Sequence, residues 1–247
     1  MLSVSCSAEV AHTLFVDIVG FSRRSMDSQR AALSDLQWAL TESDSYRATC
    51  ADDRLVRLPT GDGFALVFFG DHLLPIRCAL EIARALNNRP GMDVRMGIHS
   101  GPCDLVRDLN ANENVYGGGI NEAQRVMSCG DAGHILMSYG AADLWVQRGG
   151  WEEWLHPLGE YRLKHGKTAI LYAIHSSGIG NSRKPRQSIL WRLRNWYLRT
   201  PLAFFIGYTL FCLAIYRTAY TRGQMDPRVG ARHEAIQTYA RPTHILQ

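Results

Sequence analysis

Two aspartates lie where a folded chain tolerates an unpaired charge poorly. Asp62 occupies the tip of the turn Gly61-Asp62-Gly63, between two apolar runs typical of a β-hairpin, and the glycines are expected to supply positive φ angles. Asp17 ends the apolar run 14–16. A carboxylate in a buried strand is unfavourable unless it is paired or binds a cation. An isolated turn of this kind is more often a plain hairpin with a solvated aspartate, but the second aspartate favours a different interpretation.

Two carboxylates brought together repel each other, and a divalent cation removes that repulsion. The sequence therefore predicts that Asp17 and Asp62 form a metal-binding pair. A second combination, Asn121 and Arg125, is spaced by four residues, so both side chains lie on one face of a predicted helix. Taken alone, Arg125 is interpreted as a solvated helix charge.

The elements that position these residues follow an α+β order. Strands and helices are expected in the order β-α-β-β-α-β, followed by further α and β elements. This order predicts a ferredoxin-like core with C-terminal αβ additions and an apolar C-terminal helix. The expected core strands are 13–19, 54–58, 65–69 and 94–99, and the expected helices include 27–44, 75–87 and 120–127, with a loop over 104–114.

Composition and charge limit the class of protein. The 247 residues suffice for one sizeable domain with an appendage. Residues 1–175 carry 16 Lys/Arg against 21 Asp/Glu, whereas residues 176–225 carry 8 basic residues and no acidic one. The basic character therefore belongs to the tail, which argues against nucleic-acid binding by the main domain. Six scattered cysteines without CxxC spacing favour a reducing, cytoplasmic location, and the N-terminus does not resemble a signal peptide.

The motifs resemble a known family. The blocks are FVDIVGFS, TGDGFALVF, RMGIHSG, VYGGGINEAQRV followed by AGHILMS, and LKHGKTAILYAI. In this order, over about residues 12–174, they resemble the class III nucleotidyl cyclase catalytic domain. The sequences of these blocks are most similar to those of bacterial members that include the Pycsar pyrimidine cyclases of antiphage defence.

This resemblance implies roles for particular residues. Asp17 and Asp62, with the backbone carbonyl of Ile18, would hold two Mg²⁺ or Mn²⁺ ions that acidify the ribose 3′-hydroxyl and bind the phosphates. Asn121 would orient the ribose and Arg125 would stabilise the transition-state phosphate. Three further candidates for binding the triphosphate are, in decreasing order, Lys164, Lys167 and Arg107.

This chain departs from the family at two positions that recognise the nucleotide base. Adenylyl cyclases carry a lysine four residues before the turn aspartate and an aspartate seven residues before the helix asparagine, where this chain has Leu58 and Asn114. Guanylyl cyclases typically carry glutamate at the first position. An apolar wall with an amide fits the edge of uracil or, next, of cytosine, so UTP is favoured over CTP. The alternative is a relaxed purine pocket, or a loop alignment in which Asn114 plays no part.

The resemblance also implies an assembly. In the family, the metal site and the Asn/Arg pair of one active site come from different subunits, so a head-to-tail homodimer with two shared sites is expected. The product would switch on a separately encoded effector. Two other classes remain open, a catalytically inactive nucleotide-binding or dimerisation module and a GGDEF-type diguanylate cyclase, although the chain has no GGDEF-like motif.

The C-terminal part is expected to form three segments after the cyclase domain of residues 1–175. These are a basic linker at 176–188, a helical segment at 189–222 and a polar tail at 223–247. Residues 200–216 contain 17 consecutive residues without a charge, close to the lower limit of about 17 for a bilayer-spanning helix. The aromatic and basic flanks favour attachment to the inner membrane, by spanning or by shallow insertion. The alternative is a helix that packs on the soluble core or in a dimer interface.

Overall fold

The computed structural model describes residues 9–50, 54–107, 113–150, 153–186 and 201–224. The chain divides into two compact units, Met1–Trp191 and Arg192–Gln247. The first unit contains a mixed sheet with helices, and the second contains one described helix.

The strands of the first unit are β1 (Glu9–Ile18), β2 (Leu55–Pro59), β3 (Gly63–Phe69), β4 (Val94–Arg107), β5 (Glu113–Tyr116), β6 (Ile135–Ser138), β7 (Leu155–Arg162) and β8 (Thr168–Ile174). Its helices are α1 (Met26–Thr41), α2 (Asp44–Cys50), α3 (Leu74–Leu86), α4 (Gly118–Ser128) and α5 (Tyr139–Arg148). Short 3₁₀ turns lie at Phe21–Arg23 and Lys164–Gly166.

The strand order is β2-β3-β1-β4-β6-β8-β7, with β5 paired to β4 outside this path. The first four strands are antiparallel neighbours, which with α1, α2 and α3 gives the ferredoxin-like arrangement expected from the element order. β6 joins β4 in parallel, and β8 and β7 complete the sheet. The α+β prediction with C-terminal additions is therefore confirmed for this unit.

β1 is an interior strand between β3 and β4, and apolar residues pack on both of its faces. Alternate residues point to opposite faces of a strand. Leu14, Val16 and Ile18 join the large core cluster that includes residues of α1 and α3. Phe15 instead packs with Ala65 of β3 and with residues of α4. Because Asp17 follows Phe15 by two positions, it lies on the α4 side of the sheet.

Two expected elements differ from the structure. The helix predicted over 27–44 ends at Thr41, and α2 starts at Asp44 because Glu81 of α3 accepts hydrogen bonds from the Ser43 hydroxyl and the Ser45 backbone N–H. Such a side-chain acceptor satisfies the free N–H groups at a helix start. The loop predicted over 104–114 contains the end of β4 and the start of β5, which pair as antiparallel strands.

The start of the expected linker is fastened to the first unit. Asn181 Nδ2 donates to the Ala132 carbonyl at 2.8 Å, and the Arg183 carbonyl lies 2.6 Å from His134 Nε2. Ile179 packs against the large core cluster. Composition alone predicts a free linker here, but these contacts hold residues 176–186 against the turn before β6. Residues 187–200 and 225–247 lie outside the described residues, and residues 223–224 of the expected polar tail belong to the C-terminal helix.

The second unit contains α6, Pro201–Gln224. Large apolar side chains are exposed along its length, among them Phe205 at 73% and Phe211 at 63%. Within the described parts of the chain, no helix is both long enough and apolar enough to cross a membrane.

Candidate active site

The two predicted metal ligands meet at the end of β1. Asp17 pairs in register with Gly63 of β3, and the Ile18 backbone N–H donates to the Asp62 carbonyl at 3.0 Å. The Asp17 side chain is 9% exposed. Burial raises the pKa of Asp17, its interaction with Asp62 adds to this rise, and Arg95 opposes it. The hairpin therefore brings two like charges together in a poorly solvated place.

The glycines of the turn have different reasons for being there. Gly61 has φ +90°, the positive angle that the turn pattern predicts. Gly63 does not: a Cβ at this position would lie 2.0 Å from the Val16 carbonyl oxygen. The expectation of positive φ is thus correct for Gly61 and wrong for Gly63, where glycine is required because β1 and β3 approach closely beside the two aspartates.

Sequence reasoning missed Arg95, which lies on β4 directly across from Asp17. Its Nε donates to Asp17 Oδ2 at 2.7 Å, and its side chain is 32% exposed. This pairing supplies a cation to a carboxylate that is otherwise costly to bury. The available signal was an arginine at the start of the RMGIHSG block, but only the antiparallel register places it beside Asp17.

The donor set fits a hard divalent cation. Asp17 and Asp62 offer carboxylate oxygens, Ile18 offers a backbone carbonyl, and such all-oxygen sets suit Mg²⁺ or Mn²⁺. The raised pKa of Asp17 marks two carboxylates whose mutual repulsion Arg95 only partly relieves. No group of three or more His, Cys, Asp or Glu side chains in the described ranges is arranged to hold a metal, and this site has two carboxylates.

The second combination lies on α4. Asn121 Nδ2 donates to the Gly117 carbonyl at 3.3 Å, and Asn121 is exposed. Arg125 Nη1 lies 2.9 Å from Glu122 Oε2 in an ion pair within the helix. Asn121 and Arg125 thus lie on the same helix. Each side chain pairs with a residue of α4 or of the turn before it.

The candidate base-recognition residues come from neighbouring strands. Leu58 on β2 is half-buried and packs against the cluster that contains Val115 of β5. Asn114, the residue before Val115, accepts a hydrogen bond from the Val115 backbone N–H at its Oδ1, at 2.7 Å. One lone pair of the amide oxygen is therefore occupied, and none of the described residues accepts a hydrogen bond from the Asn114 Nδ2 group.

The three candidate phosphate ligands are positioned less firmly. Lys164 and Lys167 flank the 3₁₀ turn between β7 and β8, and both side chains are exposed. The Leu163 backbone N–H donates to the Lys167 carbonyl at 2.7 Å, which fixes the backbone of this turn. Arg107 is the last residue of β4, and its side chain lies outside the described part of the chain. The roles of all three residues stay predictions.

Chemically, the unit offers two sets of groups that suit phosphoryl transfer. The end of β1 and the β2–β3 turn offer oxygen ligands for metal ions, which can bind phosphate oxygens and acidify a hydroxyl. The face of α4 offers an amide and a guanidinium, which suit a sugar hydroxyl and a phosphate. Transfer of this kind depends on positioning and charge stabilisation more than on covalent catalysis.

Solved structures share this fold. The guanylate cyclase domain of RhGC from Catenaria anguillulae, in complex with GTP, is 22% identical with a TM-score of 0.55, covering 68% of this chain and 97% of that one. The adenylyl cyclase CyaB from P. aeruginosa is 16% identical with a TM-score of 0.56, covering 74% and 99%. The non-canonical dimeric guanylyl cyclase domain of the RhoGC fusion protein from Blastocladiella emersonii is 22% identical with a TM-score of 0.53, covering 67% of this chain and 96% of that one.

The family assignment comes from the sequence itself. No curated protein matches the chain significantly. The model of the family described as "Adenylate and Guanylate cyclase catalytic domain" matches residues 5–176, well over half of the chain. This span includes both aspartates, the α4 pair and every strand of the sheet. The chain therefore belongs to the adenylate and guanylate cyclase catalytic domain family, and its first unit is a nucleotidyl cyclase domain.

Proposed function

We propose that this protein converts a pyrimidine nucleoside triphosphate, UTP in preference to CTP, into the 3′,5′-cyclic nucleotide and pyrophosphate. The observation that carries the cyclase activity is the meeting of Asp17 and Asp62 at the end of β1. Two like charges in a poorly solvated site are what a divalent cation stabilises. Class III cyclases use Mg²⁺ or Mn²⁺, and when bound these ions acidify the 3′-hydroxyl and neutralise phosphate charge.

The protein's own residues then orient the substrate. Asp17, Asp62 and the Ile18 carbonyl would bind the metal ions, while Arg95 keeps the Asp17 carboxylate in place. Asn121 binds the ribose, and Arg125 stabilises the negative charge that develops on the α-phosphate as the 3′-oxygen attacks and pyrophosphate leaves. Lys164, with Lys167 and Arg107 as weaker candidates, binds the released pyrophosphate portion.

The active form is a head-to-tail homodimer with two shared sites. Within one chain, Arg125 pairs with Glu122 of its own helix, and Asp17 pairs with Arg95 of β4. Leu105 and Tyr116, on the β4–β5 hairpin, are 54% and 58% exposed, and such apolar exposure is typical of an interface. The partner's copy would complete each site.

Leu58 and Asn114 are the residues that favour a pyrimidine base. Leu58 makes one wall of the pocket apolar and removes the polar partner that a purine-specific cyclase provides. The Asn114 oxygen already accepts the Val115 backbone N–H, so the amide acts chiefly as a donor. Uracil presents a carbonyl at O4 where cytosine presents an amino group, so a donor favours UTP.

The deciding experiment is turnover of each of the four nucleoside triphosphates with Mn²⁺. Products are separated by HPLC against cyclic mononucleotide and cyclic dinucleotide standards, and an Asp17→Ala preparation controls for contaminating activity. We expect cUMP as the main product. Exclusive use of ATP or GTP would replace the pyrimidine assignment with an adenylate or guanylate cyclase. Absence of any product would favour an inactive nucleotide-binding module, and a cyclic dinucleotide would favour the diguanylate alternative.

A role in antiphage defence follows from the motif resemblance to the Pycsar enzymes. In that setting the cyclic nucleotide acts as a second messenger for a separately encoded effector. The test is survival of bacteria that carry the gene together with its neighbouring genes during phage infection. Protection should be lost with Asp17→Ala and retained with Asp143→Asn, an exposed change on α5. Equal survival with both variants would contradict a defence role for the nucleotide.

We also propose that α6 contacts the inner membrane surface. Its exposed aromatic and aliphatic side chains and the arginines before it suit an interfacial position. Sedimentation with vesicles containing anionic lipid should retain the full chain and release a chain that ends at residue 186. Full-length protein that remains in the supernatant would instead favour packing of α6 against protein.

A further inference from the structure

The carboxylate of Glu122 lies beside the proposed transition-state arginine. Glu122 directly follows Asn121, and its Oε2 lies 2.9 Å from Arg125 Nη1. The two side chains are only 20% and 22% exposed. An exposed pair at this helical spacing contributes a few tenths of a kcal/mol at most, but a largely buried, charge-assisted contact holds its partners more firmly.

The surroundings of Glu122 show that its carboxylate faces the protein. Burial lowers the pKa of His99 on β4, and the negative charge of Glu122 opposes that change. Burial raises the pKa of Cys129 after α4, and Glu122 adds to it. His99 is itself held by Ser138, with 2.8 Å between its Nδ1 and the serine Oγ. The Glu122 carboxylate therefore lies close to His99 of β4 and to the C-terminal end of α4.

The geometry leaves part of the guanidinium free. Arginine presents five N–H donors in a rigid planar fork. Among the described residues, the only acceptor for this guanidinium is Glu122, which engages Nη1 and leaves donors on the other atoms of the fork for a phosphate oxygen. A long arginine side chain that is mobile before binding must lose rotamer freedom in every turnover, whereas one that is already held does not. Such preorganisation contributes to catalysis because the charge is in place when the transition state forms.

We propose that Glu122 is a positioning residue, which holds Arg125 so that its free donors meet the reacting phosphate of the bound nucleotide. This inference rests on the proposed function, because it assigns a task to Glu122 only if Arg125 acts on that phosphate. Glu122 does not touch the substrate and acts through Arg125 alone.

The test is a double-mutant cycle on the full-length protein with Mn²⁺ and its best nucleotide. Glu122→Gln keeps the shape and removes the charge, and Glu122→Ala removes the contact. Loss of one charge-assisted hydrogen bond should lower kcat by about tenfold, with KM changed less than about twofold. In an Arg125→Ala background, Glu122→Gln should change kcat by less than about twofold, because the residue it acts through is absent. Glu160→Gln, exposed on β7, is the matched control and should match the wild type.

Three results would overturn the inference. An unchanged or increased kcat for both Glu122 variants would mean that the carboxylate does not help Arg125. A tenfold loss that persists in the Arg125→Ala background would mean that Glu122 acts by another route, such as general stability, which melting temperatures would reveal. If the wild type turns over none of the four nucleotides, the proposed function fails and this inference fails with it, an outcome distinct from an active enzyme that is indifferent to Glu122.

Discussion

Asp17 and Asp62 are brought together by hydrogen-bond register alone. The pairing of Asp17 with Gly63 places the turn aspartate next to the strand aspartate, and the Ile18 N–H fixes the distance through the Asp62 carbonyl. Arg95 arrives from β4, 78 residues away, and offsets part of the charge. Repulsion between the two carboxylates therefore remains, and a bound divalent cation should reduce it.

Binding of Mn²⁺ should stabilise the native protein through Asp17. A ligand that binds only the folded state, at about a hundredfold its Kd, stabilises it by about 2.7 kcal/mol. Melting temperatures with and without Mn²⁺ should rise by several degrees for the wild type and for Asp143→Asn, but not for Asp17→Asn. An equal rise in all three proteins would place the metal elsewhere.

Acid should destabilise the protein through three histidines that are buried or half-buried. Burial lowers the pKa of His12, His99 and His175 below the usual value of 6.5. The unfolded chain therefore takes up protons more readily than the folded chain as the pH falls through 6.5, so stability that is present at pH 7.5 is lost towards pH 5.5. We expect melting temperature to fall by about 5 °C over this interval. His99→Asn should show a smaller fall, and a melting temperature constant across this range would contradict the argument.

At the scale of elements, α4 is the helix that the site depends on. It carries Asn121, Glu122 and Arg125, and it packs against β1 and β4 through residues that include Ala123 and Met127. The close approach is possible because Gly97 of β4 has no side chain. A Cβ at Gly97 would lie 2.4 Å from the Met127 backbone nitrogen and 2.6 Å from the Ala123 carbonyl oxygen.

Gly97→Ala should therefore displace α4. Backbone atoms cannot move aside as a flexible side chain can, so we expect a loss of about 1–3 kcal/mol in the free energy of unfolding. Activity should fall at least as strongly as stability, because the α4 side chains move with the helix. Gly140→Ala on α5 is the control, since a Cβ there meets no atom within 4 Å. Denaturant titration and kcat measure the two effects. Wild-type values for Gly97→Ala would contradict the prediction, because they would show that the fold accommodates the added methyl group.

At the scale of the whole molecule, catalysis should require two chains. Asp17→Ala and Arg125→Ala should each keep only a small residual activity alone, because each removes one half of both sites. Mixing them in equal amounts with subunit exchange should restore about a quarter of wild-type activity, since half of the dimers then hold one intact site of two. A mixture of Asp17→Ala with Asp62→Ala should stay inactive, because both changes affect the same half. Recovery in neither mixture would contradict shared sites.

The segment after β8 should contribute to the stability of the first unit. A chain that ends at residue 186 keeps Ile179 on the core and the Arg183 carbonyl beside His134. A chain that ends at residue 174 loses these contacts and should be less stable by about 2 kcal/mol. Equal denaturation midpoints for the two chains would show that the segment is a linker after all.

Much of the fold was predictable because local patterns determine it. Apolar runs separated by turn residues marked the core strands, and apolar periodicity marked α1, α3 and α4. The order of these elements then allowed few arrangements other than the ferredoxin-like core. The separation of α1 from α2 was not predictable, because the break depends on Glu81 from a distant helix accepting from Ser43 and Ser45.

By itself, the sequence determined the family and the residue types of the site, since Asp17, Asp62, Asn121 and Arg125 lie within motifs read along the chain. The tertiary structure decided what each of them faces. Register across three strands placed Arg95 on Asp17, and close strand packing explained Gly63. Contacts between residues far apart in the chain depend on packing and long-range hydrogen bonds, which no local pattern encodes. For the same reason, the fastening of residues 176–186 emerged only from the folded chain.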